Sequence, residues 1–371
     1  MYTTLFIILC VSAVATFLIL PRVVSLAHKL HLYDMPDSRK VHTMPIPRIG
    51  GAVFLPVVTM VVTVTLVVLV RVNYNFGVLW DSVAVQHFLA YLFGAMALYA
   101  VGVYDDIYGV GYRTKFAVQV AAGVALCVSG LWISNLSYIF FIRDLAWWVG
   151  MPLTVFFVVY VTNAINLIDG IDGLASGLSA ISLATIAILN VMAGSMTWAI
   201  LPVAYLGVVL AFFYYNVYGR AYKTFMGDAG SLTLGYTLAF LVLHFWQANP
   251  VWNPYFHNVG IVAMSTLVIP MFDVVRVFLS RIRDHRNPFL PDKNHIHHKL
   301  LRAGLSPFMT MVTLLAISIG IIAVNYLIAA HISQTLMIIV DILLFCLMHL
   351  CINVAIRRRE RGGEEYNRAF F

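Results

Sequence analysis

Long apolar runs separated by short polar stretches make up most of the 371-residue chain. About eleven of these runs reach roughly 17 residues or more, the length that a helix needs to cross a bilayer. They begin near Thr3, Gly51, Ala84, Lys115, Trp148, Leu174, Thr197, Ser231, Asn258, Pro307 and Gln334. The pattern predicts an all-α polytopic integral membrane protein with about 11 transmembrane helices.

The composition supports this prediction and excludes a large soluble core. Hydrophobic residues make up 61% of the chain and charged residues 11%, whereas soluble domains carry about 25% charged residues. We find no internal repeat, low-complexity tract or soluble domain, so residues 1–371 are interpreted as one membrane-embedded domain. The four cysteines lie in apolar runs without a disulfide-like or metal-like spacing and are interpreted as small core residues: Cys10, Cys127, Cys346 and Cys351.

The basic residues orient the predicted spans. The first span lacks the charged region and cleavage site of a signal peptide, and Arg22 and Lys29 follow it, so the N-terminus is expected outside, on the periplasmic side. Eleven spans then place the C-terminus in the cytoplasm. Of the 23 Lys and Arg residues, Arg71 and Arg143 alone fall in loops assigned outside. Membrane topology is therefore the first explanation for the formal charge of +7, and binding of an anionic partner is the second. The predicted cytoplasmic loops lie near 23–50, 104–115, 167–174, 216–230 and 281–306.

Acidic residues gather on the same side, although the positive-inside rule does not require it. The outer loops hold Asp81 and Asp144. The inner helix ends and loops carry Asp34, Asp37, Asp105, Asp106, Asp169, Asp172, Asp228, Asp273, Asp284 and Asp292. Carboxylates are hard ligands that suit Mg²⁺. The pattern therefore indicates an anionic, metal-complexed substrate at the cytoplasmic face.

Two acidic stretches are candidates for chemistry. The third span ends in "YDDIYG", and the adjacent carboxylates of Asp105 and Asp106 repel each other unless water or a cation lies between them. The stretch "FMGDAGS" places Asp228 between Gly227 and Gly230, which leave room for a phosphate or a metal near the backbone. A solvated helix exit and an ordinary helix N-cap are the structural alternatives for these two stretches.

A polar stripe ends the fifth span in "NAINLIDGIDGLASG". The i, i+3 spacing of Asn163, Asn166 and Asp169 places them along one helix face, and Gly170 and Gly173 are expected to break the helix. Amide and carboxylate oxygens again suit Mg²⁺ rather than zinc. The alternative is hydrogen bonding of the Asn side chains to neighbouring helices, followed by ordinary Asp-Gly turns.

A histidine-rich segment, "PDKNHIHHKLLRAG", follows the ninth span. His295, His297 and His298 suggest zinc, but no cysteine lies nearby and basic residues surround them: Arg281, Arg283, Arg286, Lys293, Lys299 and Arg302. We interpret the segment as a phosphate-binding loop, with a solvated basic membrane-surface face as the alternative. Its short helix is expected to end at Gly304, before a span that opens at the Ser306-Pro307 pair.

The loop between the first two spans, "LYDMPDSRKVHTMPIPRIGG", is rich in proline and glycine. It is expected to form a rigid, irregular cover on the inner face. The alternative for some of its basic residues is that they only set the orientation of the neighbouring membrane spans. Its charged and titratable residues are Asp34, Asp37, Arg39, Lys40, His42 and Arg48.

Taken together, these blocks resemble the polyprenyl-phosphate N-acetylhexosamine-1-phosphate transferase superfamily. The resemblance rests on "DMPDSRKVHTMPIPRIGG", "VGVYDDIYG", "NAINLIDGIDGLASG" with "FMGDAGS", and "PMFDVVRVFLSRIRD" with "NPFLPDKNHIHH". The "HIHH" form is similar to the bacterial branch that uses UDP-N-acetylglucosamine, whereas the branch that uses UDP-muramoyl-pentapeptide shows consecutive histidines. The first acidic block has Gly109 where the family often has a third charged residue, so no third ligand is expected there.

The resemblance implies a reaction and a location. Undecaprenyl phosphate attacks UDP-N-acetylglucosamine, UMP leaves, and undecaprenyl-diphospho-N-acetylglucosamine begins a cell-surface glycan of the O-antigen, enterobacterial common antigen or teichoic acid type. The enzyme would lie in the bacterial cytoplasmic (inner) membrane with its active site facing the cytoplasm. We expect no nucleic-acid partner and leave a homodimer open. The alternatives are another UDP-N-acetylhexosamine, a non-enzymatic binding protein for the lipid carrier, and a transporter or flippase, which an essential Asp341 in the last span would favour.

The resemblance also implies roles for individual residues. Mg²⁺, with Mn²⁺ as a substitute, would bind Asp228, Asp169 and Asp172. The catalytic set comprises Asp105, Asp106, Asp169, Asp172, His295, His297 and His298. The substrate-binding set comprises Asp34, Arg39, Lys40, Asn163, Asn166, Asn216, Phe225, Lys293 and Arg302, of which Asn216 and Phe225 would hold the uridine. Asp105 and Asp106 act as base, as nucleophile or by positioning the lipid phosphate. Asp273 is either functional or a structural partner of Arg276.

Overall fold

The computed structural model describes residues 1–34, 45–72, 82–248, 258–285, 287 and 294–370. Within these ranges helices dominate. They are α1 (Tyr2–Lys29), α2 (Phe54–Arg71), α3 (Ser82–Tyr108), α4 (Tyr112–Val128), α5 (Trp147–Ile168), α6 (Leu174–Met192), α7 (Ile200–Tyr218), α8 (Gly227–Ala248), α9 (Val259–Ser265), α10 (Val268–Arg283), α11 (Ile296–Arg302), α12 (Pro307–Ile328) and α13 (Gln334–Phe370). A 3₁₀ turn, Gly50–Val53, leads into α2.

The membrane spans follow the apolar pattern of the sequence. Each of the eleven predicted spans contains a helix that begins within about one turn of the predicted start. In the described part of the chain, nine helices are long and apolar enough to cross a membrane, or ten if the bent pair α9–α10 is one span. Helix α4, with 17 residues, is shorter than these. The protein is therefore a multi-pass membrane protein, while the count of eleven and the orientation of its ends stay predictions.

Helix α8 is the central element of the bundle. In its apolar stretch 94% of the residues are buried, against 28% in α1, α12 and α13, and it packs against α3, α5 and α6. Buried hydroxyl groups join it to its neighbours, because Tyr91 on α3 lies 3.2 Å from Tyr205 on α7 and 3.0 Å from Thr237 on α8. The N-terminus of α8, at Gly227, consequently has a fixed position relative to the ends of the surrounding helices.

The ninth predicted span is broken rather than continuous. Helices α9 and α10 meet at an angle of 64°. Pro270 has no backbone N–H, so the carbonyl of Thr266 has no helical donor four residues later. The hydroxyl of Ser182 on α6 donates to this carbonyl at 3.1 Å. A helix bend is stable inside a membrane when a neighbouring side chain satisfies the exposed backbone in this way.

Two small antiparallel hairpins accompany the helices and were not predicted. One pairs β3 (Asn135–Ile139) with β4 (Ile142–Asp144), and the other pairs β1 (Tyr33–Asp34) with β2 (Ile46–Pro47). The segment after β2 continues alongside residues 224–226. There Phe225 donates its N–H to Pro47 at 2.8 Å, and Gly50 donates to Phe225 at 3.0 Å. The loop between α1 and α2 is thereby attached to the loop between α7 and α8.

Local signals placed several helix ends correctly. Helix α5 ends at Ile168, and Gly173, with φ +78°, precedes α6. Gly304, with φ +106°, follows α11. The hydroxyl of Ser306 accepts the N–H of Met309 at 3.2 Å at the start of α12. Helix α1 differs, because it continues to Lys29 and so extends into the loop predicted near 23–50.

Candidate active site

A cavity of about 1170 Å³ opens where the connections after α1, α5, α7 and α10 meet the start of α8. Its walls come from segments that are distant in sequence. They include these predicted site residues: Asp34, Asn166, Asp169, Asp172, Asn216, Phe225, Asp228 and His298. The sequence therefore identified part of the wall, and the fold brings these residues to one place.

Three carboxylates converge beside this cavity, and one of them, that of Asp228, lines it. Asp105 and Asp106, at the end of α3, and Asp228, in the first turn of α8, each offer an oxygen within 4.8 Å of the others. Helices α3 and α8 approach closely at Gly102, where any side chain would collide with the backbone of Ala229. This close contact brings the acidic end of α3 against the N-terminus of α8.

Asp106 caps α8. Its carboxylate oxygens accept the backbone N–H groups of Asp228 at 2.8 Å and Ala229 at 2.9 Å. A helix N-terminus has unpaired N–H groups and a partial positive charge, so a buried carboxylate is favourable there. The alternative that Asp228 is the N-cap is therefore wrong. The carboxylate of Asp228 faces the other members of the cluster instead.

Two cations neutralise the cluster. The guanidinium of Arg48 lies 3.2 Å from Asp228, 3.3 Å from Asp106 and 3.4 Å from Asp105. The ammonium of Lys115 lies 3.1 Å from Asp105 and is also ion-paired with Asp228. Burial alone would lower the pKa of Arg48, but the neighbouring carboxylates outweigh burial and raise it. Both side chains are therefore charged at any physiological pH, and the net charge of the cluster is small.

Neither cation belonged to the predicted site. The sequence could have indicated Lys115, because α3 and α4 form an antiparallel hairpin around residues 109–111. Lys115 and Asp105 are equally far from the centre of that turn, so they face each other. A signal for Arg48 was its position next to Gly50 and Gly51, which pack on the start of α8.

The two asparagines of the predicted stripe have different roles: Asn166 lies at the site, and Asn163 is structural. Asn166 donates to Asp228 at 3.2 Å and to Ser231 at 2.8 Å, so it orients the carboxylate of Asp228. Asn163, one turn earlier, donates to Gln119 on α4 at 2.6 Å and is not part of the cavity wall. The alternative of hydrogen bonding between helices thus describes Asn163.

Asp169 and Asp172 differ in their partners. Asp172 accepts a hydrogen bond from Lys223 at 2.7 Å. Among the described residues Asp169 has no hydrogen-bond or ion-pair partner, although it lines the cavity. Burial, followed by the nearby negative charges of Asp172 and Asp228, raises the pKa of Asp169 to about 7. A carboxylate in this environment is stabilised by a bound cation.

Asn216 links two loops of the site. Its amide oxygen accepts the N–H of Gly173 at 2.6 Å, and its amide nitrogen donates to the carbonyl of Thr224 at 3.0 Å. Both ends of the amide are therefore used by the protein backbone, which favours a positioning role over direct contact with a nucleoside. Phe225 lies beside Thr224 and lines the cavity, so a ring-stacking role for Phe225 stays a prediction.

The three histidines have different environments. His298 lines the cavity. His297 is buried, and its ring lies so close to Gly170 that a side chain there would collide with it. Burial, with the neighbouring His298 and His295 adding to it, lowers the pKa of His297 to about 3. His297 is therefore neutral at physiological pH and does not line the cavity. A catalytic role for His297 stays a prediction.

Asp273 anchors the start of α11. Its carboxylate lies 2.8 Å from His295, accepts the N–H of Ile296 at 3.0 Å and pairs with Arg276 at 2.8 Å. Arg276 also donates to the carbonyl of Asn294. The predicted structural pairing of Asp273 with Arg276 is confirmed. His295 is part of this anchor rather than of the cavity wall.

The other predicted residues lie at or beyond the edge of the site. Asp34 lines the cavity, 3.9 Å from Arg48. Arg302 is exposed at the end of α11 and does not line it. Arg39, Lys40 and Lys293 lie outside the described residues.

The arrangement suits a hard cation and a phosphorylated substrate. In the described part of the chain, the group of three potential metal donors is the all-oxygen cluster of Asp105, Asp106 and Asp228. Such a donor set fits Mg²⁺ and does not fit zinc. Lys223 and Arg220, which were not predicted, line the same cavity. Carboxylates and cations thus meet on one wall, as binding of a metal-complexed diphosphate requires.

Comparison with known proteins agrees with this picture. The sequence profile described as Glycosyl transferase family 4 matches residues 88–245. The chain is 31% identical over 359 residues to the undecaprenyl-phosphate alpha-N-acetylglucosaminyl 1-phosphate transferase of Escherichia coli K12, covering 91% of each chain. It is 32% identical over 340 residues to the probable undecaprenyl-phosphate N-acetylglucosaminyl 1-phosphate transferase of Bacillus subtilis 168, covering 90% of this chain and 88% of that protein. Because the similarity extends over nearly its whole length, the chain belongs to glycosyl transferase family 4.

Proposed function

We propose that the protein transfers N-acetylglucosamine 1-phosphate from UDP-N-acetylglucosamine to undecaprenyl phosphate. The products are undecaprenyl-diphospho-N-acetylglucosamine and UMP, and the reaction is the first membrane step of a cell-surface glycan. The observation that carries the proposal is the convergence of Asp105, Asp106 and Asp228 with Arg48 at a large cavity. The names of the relatives supply the acceptor and the transferred group.

The cation of the reaction is proposed to be Mg²⁺, with Mn²⁺ as a substitute. Asp228 is the best candidate for a direct ligand, because it belongs to the oxygen cluster and also lines the cavity. The carboxylate of Asp169, which has no partner among the described residues, is a second candidate. Asp172 is less well placed for direct contact, since Lys223 engages it. The ion would neutralise the negative charge of the transferring phosphoryl group.

Side chains of the cavity wall are proposed to bind the diphosphate. Arg48, Arg220 and Lys223 offer basic side chains, and His298 offers a ring nitrogen. Arg48 has a second role, since it also contacts the carboxylate cluster. It can therefore align the diphosphate with the acidic residues that hold the cation.

The reaction does not require a strong base. A phosphate monoester has its second pKa near 6, so at neutral pH the lipid phosphate is mostly a dianion. One of its oxygens forms a bond to the β-phosphorus of the donor. The bond from that phosphorus to the bridging oxygen breaks, and UMP leaves with the electron pair. We therefore assign to Asp105 the positioning of the cation and, through it, of the lipid phosphate, and to Asp106 the positioning of Asp228 at the start of α8, rather than proton abstraction.

The site is proposed to face the cytoplasm from the inner membrane, with the N-terminus periplasmic and the C-terminus cytoplasmic. Support comes from the basic residues that share the end of the bundle holding the cavity. Arg359, in the basic C-terminal part of α13, contacts α11. The positive-inside rule assigns such an end to the cytoplasm.

A reconstituted assay tests the proposal. Purified protein in detergent is supplied with undecaprenyl phosphate, Mg²⁺ and a panel of UDP-sugars, and both UMP and the lipid product are measured. UDP-N-acetylglucosamine should release UMP in a manner that depends on the lipid, and UDP-muramoyl-pentapeptide should not. Productive use of another UDP-N-acetylhexosamine alone would change the sugar and keep the reaction. Lipid binding without UMP release from any donor would refute the enzymatic function.

A further inference from the structure

The inward face of helix α13 continues past its apolar part. Its buried positions recur every three or four residues, as expected for one face of a helix: Met337, Asp341, Phe345, His349, Ile352 and Ile356. Arg359 comes next in this series, whereas Arg357 and Arg358 lie off it. The stripe therefore predicts that Arg359, among these three arginines, faces the bundle.

The contacts of Arg359 agree with this pattern. Its guanidinium donates to the carbonyl of Arg302 at 3.0 Å and lies 3.5 Å from the carbonyl of Leu301. These carbonyls belong to the last turn of α11, where the chain leaves the helix at Gly304. The carbonyl of Leu301 also accepts the N–H of Gly304 at 3.0 Å. The last carbonyls of a helix generally lack α-helical donors, so a cation is favourable there. A Cβ atom at Gly304 would lie 3.0 Å from the guanidinium, so the two residues are closely packed.

Helix α11 is too short to hold its own position. It has seven residues, and helices of this length are not stable without tertiary contacts. Asp273 holds its first turn, through Ile296 and His295. Arg359 holds its last turn from a different helix. Together with the burial of Ile296 and Leu300 in the apolar core, the two contacts hold α11 in place relative to the cavity.

The position of α11 matters for the site at two points. His298 lines the cavity. His297 packs against Gly170, which lies between Asp169 and Asp172 in the loop joining α5 to α6. A displacement of α11 would therefore move one wall of the cavity and release the loop that carries two carboxylates.

We propose that Arg359 is a positioning residue for the active site, acting through α11 on His298 and on the loop of residues 169–173. The inference rests on the proposed transferase function. It explains why α13 continues as a helix beyond its apolar stretch, since that extension carries the contact to α11.

Turnover of matched variants is the first test. At saturating concentrations of both substrates, Arg359→Ala should lower kcat roughly three- to tenfold, the effect of losing a charged hydrogen bond that is partly replaced by water. Arg359→Lys should recover most of the loss, because an ammonium can reach the same carbonyls. Arg357→Ala and Arg358→Ala remove the same charge from the same turn and should match the wild type, because among the described residues neither arginine makes a hydrogen bond or ion pair with another element.

Hydrogen–deuterium exchange provides a readout independent of activity. In Arg359→Ala, backbone amides of residues 296–304 and of residues 169–174 should exchange faster, whereas Arg357→Ala and Arg358→Ala should leave both segments unchanged. Faster exchange confined to residues 296–304, with kcat as in the wild type, would show a local stabilising contact and overturn the positioning role. Equal behaviour of all three alanine variants would overturn it as well.

The outcome separates this inference from the proposed function. An inactive wild-type protein refutes the transferase proposal. An active wild type whose Arg359→Ala variant retains full kcat refutes the positioning role alone.

Discussion

At the residue scale, the site depends on carboxylates that have distinct tasks. Asp106 uses both oxygens to cap α8, so its loss would affect the fold. Asp228 is bound through its side chain by Arg48, Lys115 and Asn166, and its backbone N–H is capped independently. The two neighbouring acids can therefore be separated experimentally.

Asp228→Asn should give a folded protein with turnover reduced about 10³-fold or more. The cap from Asp106 is kept, and Arg48 and Lys115 retain Asp105 as a partner, so the fold should survive. The negative charge that a hard cation requires is lost, and such contributions to the barrier are typically several kcal/mol. UMP release and its Mg²⁺ titration provide the measurement.

The matched control is Asp284→Asn, since Asp284 pairs with Arg283 near the end of α10, away from the cavity wall. It should behave as the wild type. Near-normal turnover of Asp228→Asn, with an unchanged Mg²⁺ titration, would move the metal to Asp105, Asp106, Asp169 or Asp172.

His297 should make the fold sensitive to acid. Its folded pKa is about 3, against an ordinary value of 6.5. Below pH 6.5 the unfolded chain gains a proton at this position and the folded chain does not, so stability falls as the pH drops from 6.5 towards 3. At pH 5.5 the free energy of unfolding should be lower by about 1 kcal/mol.

Thermal-unfolding midpoints at pH 7.5 and pH 5.5 test this prediction. The decrease between the two should be smaller in His297→Gln, which cannot titrate, than in the wild type. His331→Gln, at an exposed position, should show the same decrease as the wild type. Equal decreases in all three proteins would mean that His297 takes up its proton in the folded state.

At the element scale, the site is assembled by close contacts between backbones. The 3₁₀ turn Gly50–Val53 and the start of α8 touch at Gly51, which donates its N–H to Met226 at 2.8 Å. A side chain at this position would overlap Gly230. Small residues therefore permit the contact that brings Arg48 to the carboxylates.

Gly51→Ala should destabilise the protein by about 1–3 kcal/mol or more, as expected for overpacking, and should abolish most turnover by displacing Arg48. Gly111→Ala is the control, because nothing lies within 4 Å of a Cβ atom there. Thermal midpoints and UMP release are measured for both variants. Wild-type behaviour of Gly51→Ala would show that the contact between the turn and α8 is loose.

At the scale of the whole molecule, the polar groups are distributed as expected for an enzyme that acts at one membrane face. Asp341 differs from the acidic residues of that face, since it lies within the span formed by α13. It accepts a hydrogen bond from the fully buried Asn325 of α12 at 2.6 Å. The pair joins two neighbouring helices, so a transport role is not needed to explain Asp341.

Asp341→Asn should therefore retain turnover within about twofold, because its amide oxygen can still accept from Asn325. Asn325→Leu leaves a carboxylate without its partner in the bundle and should lower the thermal midpoint. A folded Asp341→Asn protein without activity would instead support a pathway for ions or substrate through the helices, and with it the transporter hypothesis.

The sequence by itself determined the helices and the chemical character of one face. The length of an apolar run is a local property, so the starts of the spans could be predicted. Glycine, proline and serine signals are local too, so the ends of α5 and α11 could be predicted. The residue types also indicated a cation and phosphates, because Asp and Asn oxygens and basic side chains have fixed chemical preferences whatever the fold.

Only the tertiary structure decided which of these residues act together. Asp106 and Ala229 meet because α3 packs on α8 at Gly102, a contact between positions more than a hundred residues apart that no local pattern encodes. The same holds for Arg48, which reaches the carboxylates through the contact at Gly51. Burial distinguished neutral His297 from His298 in the cavity wall, since solvent exposure depends on what the rest of the chain places around a side chain.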